Sequence, residues 1–173
     1  MKKFIDLYSN TKMSRITIDK KICIEPKFLD SKLVSHLYSK IQEQMIGKCD
    51  KNYGYILKVY ESINILENIV SSAGAGIFFN VRFDIKVLKP KIGSVYQGTV
   101  CMIFQEGLFV EVSNKMKVLI RIDKMNGYKY SKTKQIFKKD EETISKGDKI
   151  EVIIEMIKYE KQNFNCIGSL KNL

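Results

Sequence analysis

Apolar and polar residues alternate along several stretches of this chain, and a period of two marks strands with one buried face. Ile16, Ile18, Ile22 and Ile24 fall at even positions between Thr17, Asp19, Lys21 and Glu25. Pro26 ends that run, and Asp30 offers a helix N-cap. Leu33, Val34, Leu37, Ile41 and Met45 then continue at helical spacing, and Gly47 stands where a C-terminal cap glycine belongs. Tyr55, Leu57 and Val59 begin another alternating run. The strongest strand is Phe79, Val81, Phe83, Ile85 and Val87, interleaved with Asn80, Arg82, Asp84 and Lys86. The first half is expected to be a sheet with one helix across it.

Past Lys89-Pro90-Lys91-Ile92-Gly93 the pattern becomes nearly all β. Ser94 to Phe104 reads as a long strand, and Gly107 to Ser113 with Lys117 to Asp123 as a hairpin around Asn114-Lys115. After a polar insertion, Ile150 to Ile157 and Phe164 to Leu170 supply two more strands. Five short strands with the longest excursion between the third and fourth are the arrangement of an OB barrel, although other small barrels share the count. The expected class is α+β: residues 1–15 as an N-terminal extension, 16–90 as the sheet-plus-helix domain, and 91–173 as a five-stranded OB-fold β-barrel.

Composition supports a folded chain with a polyanionic partner. The 173 residues are 45% hydrophobic and include only 2 Pro and 10 Gly, which excludes a linker or a mainly disordered chain. No apolar run approaches the ~20 residues that span a bilayer, and Asp6 interrupts the apolar stretch after Met1-Lys2-Lys3, so no signal peptide and no membrane partner are expected. A formal net charge of +11 points to nucleic acid before membrane. Cys23, Cys49, Cys101 and Cys166 are scattered without a Cys-x-x-Cys pair, as expected of reduced intracellular thiols. Basic residues are 27 Lys to 3 Arg, and 24 Ile stand against 2 Ala. That skew reflects AT-rich codons and bears on the source, not on function.

Several short motifs occur in a familiar order. Gly47-Lys48-Cys49 is followed by Tyr53-Gly54-Tyr55-Ile56-Leu57-Lys58-Val59, by Gly74-Ala75-Gly76, by Val81-Arg82-Phe83 and by Lys89-Pro90-Lys91-Ile92-Gly93. Val95, Gly98, Val100, Gly107-Leu108-Phe109-Val110-Glu111 and Ile167-Gly168-Ser169-Leu170 complete the series. From about Ile16 to Leu173 the chain resembles the stalk subunits of multisubunit RNA polymerases, the family of the seventh subunit of RNA polymerase II and its archaeal counterpart. Departures are the residues before Ile16, Ser113-Asn114-Lys115-Met116 where the family often has Gly-Pro-Met, and Val87-Leu88-Lys89-Pro90 in place of a Phe-rich segment. They mark a divergent member. Together with the AT-rich skew they point to a large DNA virus as the source.

The resemblance implies a tip domain that docks into the polymerase core subunits, then an OB domain near the exit path of single-stranded nascent RNA. It also implies a smaller fourth-subunit-like stalk partner, and neither cofactor nor catalysis. The location would be intracellular: nuclear in a cell, virion or host cytoplasm for a virus. Tyr53, Gly54 and Tyr55, with Gly74 and Gly76, match the core-docking tip; each is also what a tight β-turn requires. A free-standing OB-fold RNA-binding factor of translation or RNA decay is the alternative. Such a factor would normally pair its barrel with a helical domain, not with this sheet-plus-helix unit.

The residues themselves offer little chemistry for catalysis. His36 is the only histidine and falls among Leu33, Leu37 and Lys40 on the predicted helix. No cluster has metal-ligand spacing, no phosphate loop is followed by Lys and Ser or Thr, and Asp140-Glu141-Glu142 reads as a solvated charge run. RNA contacts have better support. Leu108, Val110 and Val112 share one face of the second barrel strand, leaving Phe109 on the other; Val118, Ile120 and Ile122 leave Lys117, Leu119 and Arg121 outside. Phe109 and Arg121 on adjacent outer faces suit stacking on unpaired bases, or Phe109 packs under a loop or partner. Glu106 stands where a second aromatic is often found. From Lys124 to Lys139 six lysines, among them Lys129, Lys132 and Lys134, occur without one acid. That loop could track a phosphate backbone or be a mobile, merely soluble insertion.

Overall fold

The computed structural model describes residues 13–70 and 76–171, which form two compact units divided between Leu88 and Lys89. In the first, strand β1 (Met13–Ile24) is followed by a 3-10 turn (Pro26–Phe28), helix α1 (Leu33–Met45), β2 (Cys49–Asp50), β3 (Gly54–Val70) and β4 (Ile77–Leu88). β1 therefore starts three residues inside the expected extension. The strands make one sheet in the order β1-β4-β3-β2, antiparallel throughout.

Alternation decides the buried face. Ile18, Ile22 and Ile24 from β1 and Phe79, Val81, Phe83, Ile85 and Val87 from β4 pack with Leu37, Ile41 and Met45 of α1. Val34, although at helical spacing, is 52% exposed, because the helix turns a narrower stripe to the sheet than the sequence pattern allows. Asp30 accepts a 2.7 Å hydrogen bond from the Lys32 N–H just ahead of α1, so it caps the entry and not the first helical turn itself. In β3 the expected alternation fails. Bulges shift the register between Ile56 and Lys58 and again between Val59 and Ile63, so Ile56 and Val59 enter the core and Leu57 does not.

The opposite face of this sheet is polar. Arg15 donates two hydrogen bonds to Asp84, at 2.8 and 2.5 Å, and Thr17 donates a third at 2.6 Å. Arg82 grips Asp19 through two bonds of 2.7 Å. These bonds hold both carboxyls below the usual range, the Thr17 hydroxyl being the first cause at Asp84 and Arg82 at Asp19. Lys20 is an exception: it lies on the core side of edge strand β1, half-buried, with Nζ 3.0 Å from the Met45 sulfur. Its ammonium pKa is lowered by burial and then by nearby Lys48. An inward-pointing charge of this kind blunts an exposed sheet edge.

The second unit is a closed barrel of β5 (Val95–Phe104), β6 (Gly107–Val112), β7 (Met116–Arg121), β11 (Lys149–Glu160) and β12 (Asn163–Leu170). The ladder runs β11-β12-β7-β6-β5 and returns to β11; only the β7–β12 pairing is parallel. Val100, Leu108, Val110, Val118, Ile120, Val152 and Ile154 fill it. Tyr96, fully buried, donates its hydroxyl to the Lys89 carbonyl and accepts the Lys91 N–H, both at 3.2 Å.

The segment expected as a polar loop is structured. β8 (Lys129–Ser131), β9 (Ile136–Lys139) and β10 (Glu142–Ile144) form a separate antiparallel sheet. Tyr130, Phe137 and Ile144 are directly opposite one another across it, and Phe137 is fully buried. Periodicity missed it because strands of three or four residues give too few alternations to see. Tyr128 ties its ends together, donating a 2.5 Å hydrogen bond to Glu142. Burial, and then the Glu142 carboxylate, push the Tyr128 phenol up to about 12. An unfolded phenol loses its proton near ~10, so between these values only the folded chain keeps it. The contribution is complete below pH ~10 and lost as pH rises toward about 12. Melting temperature measured from pH 9 upward should therefore fall more steeply in the natural protein than in Tyr128→Phe.

Candidate nucleic-acid interface

The outer face of the barrel follows from the ladder registers. Leu108 and Val110 point inward, which turns Phe109 out between them; Val118 and Ile120 do the same for Leu119. Phe109 stands opposite Leu119 on one side and Met102 on the other. Leu119 is opposite Ile167, and Ile167 opposite Met156. One row of five apolar side chains thus crosses all five strands, with Met102 55% and Met156 58% exposed. Contiguous exposed apolar surface of this kind marks an interaction site.

Phe109 is half-buried, its ring 5.7 Å from that of Phe104 and tilted by 41°. Arg121 shares the outer face but stands opposite Gly107, one diagonal from Phe109. Its Nε lies 3.2 Å from an Asp123 oxygen. Phe104, Glu106, Leu119, Arg121, Ile122 and Asp123 line a shallow cleft of about 580 Å³ beside it. Ile122, expected inside the barrel, is 41% exposed, because the chain leaves β7 there and enters a 3-10 turn. Lys117 stands opposite Glu111 at the other side of the row.

Several of the cations bordering the row are matched by acids. Besides Arg121 with Asp123, Lys124 lies 3.1 Å from Glu155 and Lys158 2.7 Å from Glu160. Lys129, Lys132 and Lys134 are different. They are exposed on the small sheet and its connecting turn, and among the described residues none pairs with a carboxylate.

Of the residues expected at the docking end, Gly54 has φ +93°, which an L side chain tolerates poorly. It closes a turn in which Asp50 Oδ1 accepts the N–H groups of Asn52 (2.7 Å) and Tyr53 (3.2 Å). Tyr53 packs half-buried on the tip core and Tyr55 is 5% exposed, so Lys51 and Asn52 are what this turn presents to solvent. Gly76 precedes β4 and leaves no room for a side chain beside the Cys23 sulfur. Gly74 lies outside the described residues. His36 is a helix residue 3.2 Å from Asp30, its ring centroid 5.0 Å from that of Phe28.

Sequence reasoning missed Met102 and Met156 because a bulge precedes each, between Val100 and Met102 and between Ile154 and Met156. The adjacent apolar pair Met156-Ile157, which breaks strict alternation, was the available signal.

A two-part chain whose second half is a closed barrel with an aromatic and apolar outer row is a nucleic-acid-binding type of protein. Comparison with known families agrees. Residues 19–78 match the SHS2 domain found in the N terminus of Rpb7p/Rpc25p/MJ0397, and residues 89–170 the S1 RNA binding domain. DNA-directed RNA polymerase II subunit RPB7 of Saccharomyces cerevisiae is 29% identical over 155 residues, 87% of this chain and 90% of the yeast one. The RPB7 subunit of Glycine max is 23% identical over 96 residues, 56% of this chain and 54% of that one. The apo form of Mycoplasma genitalium RNase R is 22% identical, with a TM-score of 0.40 over 46% of this chain and 13% of that one. The chain belongs to the Rpb7-like stalk subunits of DNA-directed RNA polymerase, with an S1-type OB domain as its RNA-binding half.

Proposed function

We propose that this chain acts without catalysis of its own, docking to the polymerase core through the first unit and contacting nascent single-stranded RNA through the barrel. The observation that carries this is the order of the two domains, a tip-type SHS2 unit followed by an S1 barrel, along almost the full length of a polymerase subunit from yeast. The same order disfavours a free-standing translation or decay factor. A role in transcription places it with its polymerase: in the nucleus of a cell, or in the virion or host cytoplasm for a virus.

At the barrel, the aromatic end of the outer row takes the bases. Phe109, backed by Phe104, offers a ring face, and Arg121 and Lys117 flank it. The aliphatic end, Ile167 and Met156, with its neutralised rim, suits a fourth-subunit-like protein partner: an apolar centre ringed by paired charges is how protein interfaces are built. At the other end of the chain, the Gly54 turn and the Gly76 turn are the docking elements.

Purification from the native source tests the assignment as a whole: the protein should co-purify with the large polymerase subunits, and its isolation free of them would refute it. Gly54→Val forces a β-branched residue to φ +93°. It should release the subunit from the polymerase while the barrel stays folded, and normal association would count against docking through this turn.

Phe109→Ala should weaken binding of single-stranded RNA by about 1–3 kcal/mol, the scale of one base–aromatic contact, with little change in melting temperature. Arg121→Ala should lose a smaller, salt-dependent amount. A large drop in stability with unchanged RNA affinity would make Phe109 a packing residue instead. Met156→Glu should detach a protein partner and leave RNA affinity as it was; retention of the partner would remove it from the aliphatic end.

A further inference from the structure

The small sheet β8–β9–β10 has two faces. Tyr130, Phe137 and Ile144 make its apolar face. On the other face Lys129 stands directly opposite Lys138, with Thr143 next in the row. Directly opposed residues have Cβ atoms roughly 5 Å apart, and like charges there destabilise the sheet. Neither lysine has a carboxylate partner among the described residues, and the same holds for Lys132 and Lys134 on the turn that joins β8 to β9.

The arrangement is not imposed by a shortage of acids. Asp140 and Glu141 make the β9–β10 turn, and Glu142 beside them stands across from Lys139, in the row next to Lys129 and Lys138, and accepts the Tyr128 hydroxyl. Acids thus stand within one row of Lys129 and Lys138 and leave both unmatched, while Lys132 and Lys134 lie at the far end, on the β8–β9 turn. Nor is the platform loose, since Phe137 is fully buried beneath it. A fixed surface that accepts a like-charge cross-strand pair gains from a ligand that supplies the missing negative charge at several adjacent points.

We propose that this face, from Lys129 and Lys138 at one end to Lys132 and Lys134 on the turn at the other, is a binding site for the phosphodiester backbone of single-stranded RNA. It extends the barrel's RNA contacts, and so rests on the assignment of the barrel to RNA. It reads no bases: each ammonium neutralises a phosphate and releases counterions, which adds salt-sensitive affinity without sequence preference.

Lys138→Glu tests the idea, because it should do two opposite things in the full-length chain. It turns a repulsive cross-strand pair into an attractive one with Lys129, so the melting temperature should rise. It also removes a phosphate contact, so affinity for a labelled oligouridylate should fall by about fivefold or more at ~0.1 M salt, from ~0.7 counterions per contact. Lys161→Glu, in the exposed turn between β11 and β12, changes the net charge equally and should leave affinity within about twofold. Neutralising Lys129, Lys132 and Lys134 together should make the log-log salt slope shallower by up to ~2. Equal losses from Lys138→Glu and Lys161→Glu, or an unchanged salt slope, would overturn the site. Either result alongside a loss from Phe109→Ala leaves the barrel's RNA role standing, whereas a natural protein that binds no oligouridylate defeats that role itself.

Discussion

Closure of the barrel depends on places where no side chain stands between strands. A Cβ at Gly98 would meet a Val110 methyl at 2.5 Å and the Glu111 carbonyl at 2.8 Å, and one at Gly168 would run into the Ile153 carbonyl. With those positions empty, β5 lies close on β6 and β12 close on β11, and the parallel β7–β12 pairing completes the circuit. Everything offered on the outside follows from closure. Once the registers are set, Phe109, Leu119, Ile167 and Met156 have no choice but to align across neighbouring strands. A side chain at either glycine would pry the ladder apart and scatter that row.

Both units combine closed ion pairs with lysines that face one another across strands. On the sheet of the first unit the outer face carries two ion pairs, Arg15 with Asp84 and Arg82 with Asp19; Thr17 adds a bond to Asp84, and Arg15 stacks 4.2 Å over the Tyr60 ring. Being exposed, these pairs add little stability each; on the same face Lys86 stands between Arg15 and Lys58, and among the described residues neither lysine pairs with a carboxylate. In the barrel unit most cations near the apolar row are likewise matched, and the surplus behind the net charge of +11 is concentrated partly on the small sheet.

Much of the architecture was legible beforehand because burial imposes its period on the residues. β1 and β4 are long and single-faced, so Ile18, Ile22, Phe79, Val81 and Phe83 announced their own side of the sheet. The five barrel strands could be read for the same reason, and the positive φ at Gly54 was foreshadowed by the turn it closes. Where the reading failed, the cause was local. Bulges in β3, β5 and β11 change the phase without leaving a mark on composition, and the strands of the small sheet are shorter than the pattern needs.

By itself, then, the order of residues determined which segments are strands, where the helix lies and which faces are apolar, since those depend on neighbours two to four positions apart. Only the tertiary structure decided which lysines face each other and which already have partners. Lys129 and Lys138 are nine positions apart, and Lys124 and Glu155 thirty-one. Repulsion in the first pair and attraction in the second depend on strand register and on packing between distant segments. Neither is a property of the local sequence, because Coulomb interactions act through space and the chain's folding sets the distances.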